Sequence, residues 1–100
     1  MVFYRHLFVG RRAARKKDRI LEKLKNREFA PGVYVIMPPA NPENLLDILP
    51  AYMLIGSTET EENPDRIIGI ALGKGEAMEV AGIILGSCYR YTGSFRRKWF

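Results

Sequence analysis

Acid–base and nucleophilic chemistry needs at least two suitable side chains brought together, and this chain offers a single histidine, His6, and a single cysteine, Cys88. His6 lies in a run of strand character and Cys88 in a run of helical period. They meet only if that strand and helix pack face to face, and no obvious carboxylate stands ready to orient the imidazole. Glu59, Glu61 and Glu62 are clustered, but in a polar stretch where carboxylates are ordinarily solvated. No catalytic residue is therefore assigned, and enzymatic activity is disfavoured. One thiol supports neither a disulfide framework nor a cysteine-based zinc site within one copy, so no metal or cofactor is expected.

Anion-binding chemistry is better supplied. The order strand, glycine, basic residue, helix occurs twice, at Gly10-Arg11 and at Gly73-Lys74-Gly75. Glycine lets the backbone approach a ligand closely, and the free N–H groups at a helix start attract anions. Walker A spacing is absent because Gly75 follows Lys74 where Ser or Thr is required, and the dinucleotide fingerprint is incomplete. Glu76 and Glu79 suit ordinary first-turn electrostatics and disfavour a nearby anion. A small enzyme or sensor for an anionic metabolite would use these junctions only if both reach the same sheet edge.

A second basic constellation is longer. Arg12, Lys16, Arg19, Lys23 and Arg27 follow at steps of four, three, four and four, which puts all five on one side of a helix. Their arc adjoins the apolar arc of Ala13, Ile20, Leu21 and Leu24, so such a helix can pack and still present charge. The ladder is suited to nucleic-acid phosphates or another polyanion, with Arg15, Arg96, Arg97 and Lys98 extending it and Tyr89, Tyr91 and Trp99 as stacking groups. The plain alternative is a solvated helix face.

The elements that must position these residues follow from period and punctuation. Residues 2–9 read as a strand ended by Gly10, and residues 11 to about 27 as one amphipathic helix. Pro31-Gly32 breaks the chain before Val33–Met37, a short apolar run suited to a central strand. Asn41-Pro42-Glu43 supplies an N-cap, a first-turn proline and an early carboxylate, which predicts a short helix to Leu49, stopped by Pro50. Residues 51–56 are either a third strand or an irregular return, 57–65 an acidic loop, and 66–72 a buried strand. A last helix runs from about Lys74 to Tyr91, with Gly93 as its stop and 94–100 as a basic aromatic tail. On that helix Ala77, Ala81, Ile84, Cys88 and Tyr91 share one apolar face. Met78, Gly82, Leu85, Gly86 and Tyr89 widen it beyond one packing surface. Either this helix also meets the first one on the same sheet face, or these five residues contact a second copy, most simply in a two-fold homodimer.

The order strand, helix, strand, helix, uncertain strand, strand, helix predicts one α/β domain over 1–100. Its mixed or parallel sheet has three or four strands covered by helices, and α+β is the alternative class. With 47% apolar residues in 100, one core forms without disulfide or metal staples. Charge is polarised: residues 1–32 carry ten basic against three acidic groups, residues 33–89 two against eight, and residues 90–100 four basic groups alone. Such a basic end favours nucleic acid or an acidic protein surface. No apolar run approaches the roughly 18 residues of a membrane span, and the start lacks the order of a secretory signal, so a reducing cytoplasm is the expected setting.

His6-Leu7-Phe8-Val9-Gly10, Pro31-Gly32-Val33-Tyr34, residues 41–48, Ile68–Gly73 and Tyr91–Phe95 together resemble a group of short bacterial proteins of unknown function. The likeness spans nearly the whole chain and implies a stand-alone protein. It carries over no activity, ligand or site. The leading functional expectation is a non-catalytic binding or interaction module that self-associates, with polyanion binding by the first helix and anionic-metabolite binding at the glycine junctions as alternatives.

Overall fold

The computed structural model describes residues 1–41, 43–57 and 59–92, with side chains placed as far as Ser87. Four strands form one mixed sheet: β1 (Val2–Val9), β2 (Val33–Met37), β3 (Asp47–Pro50) and β4 (Arg66–Leu72). Their order across the sheet is β1-β4-β2-β3, with β1 parallel to β4 and β2 antiparallel to both its neighbours. The helices are α1 (Arg11–Ala14), α2 (Lys17–Lys25) and α3 (Lys74–Thr92), and a 3-10 helix covers Ala51–Leu54. The expected α/β class is what the chain adopts. Among the described residues, no helix is long and apolar enough to cross a membrane.

The two central strands explain their apolar runs. Val35 of β2 pairs with Ile70 of β4, and both are fully buried beneath Ala13, Ile20 and Leu24 of α1 and α2. Ile36, Ile68 and Ala71 face the opposite way, under Ala77, Val80 and Ile84 of α3. Strands covered on both faces must be apolar at every position, which removes the polar alternation of a half-exposed strand. Helices thus lie on both sides, and α3 does not meet the first helix across one sheet face. The edge strand β1 departs from regular pairing. Phe3 pairs with Ile67 but Phe8 with Gly69, so β1 bulges between them and leaves Arg5 and His6 exposed.

Two expected elements are replaced. The helix predicted to end at Leu49 does not form: Asp47–Pro50 is an edge strand, with Ile48 opposite Ile36 and Leu49 opposite Val35. Asn41 and the Asp47 carboxylate instead organise a turn, accepting from Glu43 N–H at 3.0 Å and Ala40 N–H at 2.9 Å. Two turns of helix stopped by proline repay nucleation poorly, whereas pairing with β2 satisfies the backbone and sends Ile48 and Leu49 to opposite cores. Residues 51–54 are then the irregular return of the two readings, wound as the 3-10 helix.

The first helix is broken in two. Lys16 leaves helical geometry (φ −126°, ψ 23°), and its N–H bonds Ala13 O at 3.0 Å before Ile20 N–H restarts the ladder on Lys16 O. A continuous helix would stack Arg11 on Arg15, Arg12 on Lys16 and Arg15 on Arg19, like-charge pairs that each destabilise it.

Candidate anion-binding surface

Because β1 and β4 are parallel neighbours, Gly10 and Gly73 emerge at the same sheet edge, as an anion site would require. The chain then leaves β1 for one face and β4 for the other, through α1–α2 and α3 respectively. Such a switch point opens the crevice where open α/β sheets commonly bind ligands. Here the crevice is filled from within. Glu76, only 9% exposed, accepts from Arg12 N–H at 2.6 Å and Ala13 N–H at 3.3 Å through Oε1, and from Leu72 N–H at 3.2 Å through Oε2. Gly10 is the N-cap of α1 and has no side chain with which to cap it, so a carboxylate from α3 does so across the fold. The space it uses is the one a Cβ on Gly10 would take, against Oε1 and the carboxyl carbon of Glu76. Around it, Arg11, Arg12, Gly75, Glu76 and Glu79 line a cavity of about 330 Å3. Lys74 is exposed, and Gly73 holds φ 86°. With Glu76 in place and Glu79 on the rim, the junctions offer less to a second anion than their glycines suggest.

The five-residue ladder divides into three groups. Arg12 lies with the crevice just described. Lys16, Arg19 and Lys23 stay together and line a separate groove of about 230 Å3, whose other side is Pro31, Val33 and Leu72, with Ile20 beneath. Among the described residues the ion pairs are Met1–Glu59, Arg27–Glu59 and Arg27–Asp65, so none of these three cations has a carboxylate within ion-pair distance. Arg15, Lys16, Lys17 and Arg19 continue around the break, where they line a shallow depression with Asp18.

Arg27 turns away from the ladder. It follows the end of α2 with φ 56°. Its Nη1 donates to Leu54 O at 2.6 Å, Ser57 Oγ at 3.0 Å and Asp65 Oδ2 at 3.1 Å, and its Nη2 meets Glu59. Burial opposes the charge on this guanidinium, but the bonds to Asp65 and Glu59 outweigh it and raise its pKa. Glu59 also binds the Met1 ammonium and Asp65 N–H. The ammonium first, then that N–H, then Arg27, hold its carboxyl down to about 2. Glu59 therefore belongs to a structural lock, whereas Glu61 and Glu62 are exposed as expected of a soluble loop. No short-range pattern marks Glu59 or Glu76, since besides a nearby N–H each serves groups distant in the chain, Met1 and Arg27 for Glu59 and Arg12 and Ala13 for Glu76.

The remaining candidates are more scattered. His6 is exposed on β1, its ring edge-on to Tyr4 at 5.9 Å. The side chains of Cys88 and Tyr89, and the tail residues 94–100, lie outside the described residues. On α3, Met78, Gly82 and Gly86 are exposed and Leu85 is half-buried, with Ile83 adding a further exposed apolar group. Among the described residues, no three His, Cys, Asp or Glu side chains gather as a metal site. The chain matches no protein-family model, no curated protein sequence and no solved structure.

Proposed function

We propose that this protein is a non-catalytic binding module that holds nucleic-acid phosphates, without reading sequence, on the basic shoulder formed by Lys16, Arg19 and Lys23. The observation that supports this is the convergence of Lys16, Arg19 and Lys23 on one groove with no carboxylate paired to them. Three like charges around one depression repel one another, and nothing in the core needs them there, so an anionic partner relieves what folding leaves uncompensated. The acids that do pair, Glu59 and Asp65, lie with Arg27. The lone thiol and the resemblance to short bacterial proteins favour the bacterial cytoplasm as its setting.

Binding of labelled duplex and single-stranded oligonucleotides, followed by fluorescence anisotropy from about 50 mM salt upward, tests this directly. Three neutralised phosphates give a slope of log affinity against log salt of roughly −2.7 on duplex and −2.1 on single strand. The triple variant Lys16→Gln, Arg19→Gln, Lys23→Gln is expected to remove most of the affinity and of this salt dependence with the fold retained, since glutamine keeps good helix propensity. Affinity and slope unchanged in that variant would remove the shoulder as the contact.

Self-association is a second reading, supported by the outer face of α3. Met78 and Ile83 are each 59% exposed beside Gly82 and Gly86, and a second helix can approach closely where glycines remove side-chain bulk. Light scattering at micromolar concentration is expected to give twice the chain mass, and Gly82→Gln is expected to return the monomer. A strictly monomeric parent protein would end this reading.

A further inference from the structure

We propose that the groove between Lys16, Arg19 and Lys23 and the apolar wall of Pro31, Val33 and Leu72 receives one unpaired base of a single strand, making this a single-strand rather than a duplex binder. The inference rests on the nucleic-acid reading above and adds the chemical class of its ligand.

Cations alone would suit any polyanion. This groove couples them to an apolar floor, and its 230 Å3 falls below the ~300 Å3 at which pockets begin to enclose a drug-sized molecule. It takes one small group projecting from a larger ligand. A nucleic-acid strand alternates anionic phosphates with flat bases whose faces stack on apolar surface while their polar edges stay in water, and phosphate and base face each find a complement here. Lys16 and Lys23 are seven residues apart, which is ~10 Å along a helix axis at 1.5 Å per residue. The cations are thus spread along the groove, where neighbouring phosphates of a strand can meet them whether or not that strand is paired. In a duplex the bases are paired and stacked, and entry would require flipping one out. A polyanion made of carboxylates alone, by contrast, leaves the apolar wall of Pro31, Val33 and Leu72 unused.

Position in the fold keeps the groove open. Pro31-Gly32 turns the chain into β2, with Val33 N–H bonded to Ala30 O and Gly32 at φ 77°. This places the exposed proline ring on the rim. Gly32 O in turn accepts from Gly73 N–H at 2.7 Å, tying the rim to the end of β4.

The full chain is titrated with three labelled probes of equal length: a pyrimidine strand, an abasic strand with the same phosphates, and a duplex. Unlabelled poly-glutamate serves as competitor. The pyrimidine strand is expected to bind about fivefold tighter than the abasic strand, the low end for one stacked base because the floor is aliphatic rather than aromatic. Pro31→Ala, which keeps the turn because Gly32 holds the left-handed position, is expected to shrink that preference about fourfold, the value of one buried methylene. It should leave the salt slope unchanged. Equal affinity for all three probes, preference for duplex, or displacement by poly-glutamate as effective as by the pyrimidine strand would overturn the base-receiving groove while leaving phosphate binding intact. Failure of every probe to bind would overturn the nucleic-acid reading itself.

Discussion

Glu76→Ala is expected to destabilise the fold by about 3 kcal/mol, which for a chain of this size lowers the melting temperature by roughly 12 to 24 °C. The carboxylate is nearly buried and accepts from three backbone donors, Arg12, Ala13 and Leu72, drawn from α1 and β4. Bonds to a charged group contribute about 1.5–3 kcal/mol each. Two of these are long, at 3.2 and 3.3 Å, and water admitted to the vacated space can satisfy part of what is lost, so the sum is not reached. Glu76→Gln is expected to cost about half as much: its amide oxygen can still accept from Arg12, but its NH2 then faces the Leu72 donor. Gly10→Ala should resemble Glu76→Ala, because the new Cβ takes the place of Oε1. Thermal melts of the two single variants and the double variant close a cycle. Full additivity in that cycle would show that Gly10 and Glu76 do not act as one device.

Arg27→Ala is expected to lower stability by about 2 kcal/mol, from loss of four charge-assisted contacts at a site still partly open to water. It should leave the salt slope of nucleic-acid binding unaltered. Helical spacing alone puts Arg27 in the ladder with Lys23, so an unchanged slope separates the folded arrangement from the one implied by spacing. The same lock governs acid sensitivity. The Glu59 carboxyl is held at about 2 against its ordinary 4.5. Since the folded value lies below the unfolded one, the unfolded chain takes up the proton first. The stabilisation is complete above about 4.5 and is lost as the pH falls towards 2. Melting temperature measured through that window should drop steeply for the parent protein and less steeply for Arg27→Ala, in which the Met1 ammonium and Asp65 N–H remain as partners of Glu59. Parallel curves would show that Arg27 contributes nothing to holding the Glu59 charge.

What the residues alone determine here is local and periodic. Val33–Met37 and Arg66–Leu72 are apolar at almost every position, which suits central strands covered on both faces, and the sheet places them there. Proline and glycine at 31–32 mark a turn because each supplies a backbone angle that other residues resist. The concentration of positive charge in the first third of the chain is likewise independent of folding, and so is the grouping of Lys16, Arg19 and Lys23, which lie within two turns of one another. Prediction fails wherever a local preference competes with a distant partner. Residues 41–49 carry capping signals for a helix, but the edge of β2 offers its hydrogen bonds to Asp47–Pro50 instead. Helical spacing extends to Arg27, yet Asp65 and Glu59, more than thirty residues away in sequence, draw its side chain out of the ladder. Whether Gly10 and Gly73 share an edge depends on the parallel pairing of β1 with β4, a contact across more than sixty residues that no helical or strand period encodes. Only that pairing brings Glu76 into the crevice both glycines border. The tertiary fold thus decided which charges are satisfied internally, pairing Arg27 with Glu59 and Asp65 while Lys16, Arg19 and Lys23 join no ion pair among the described residues.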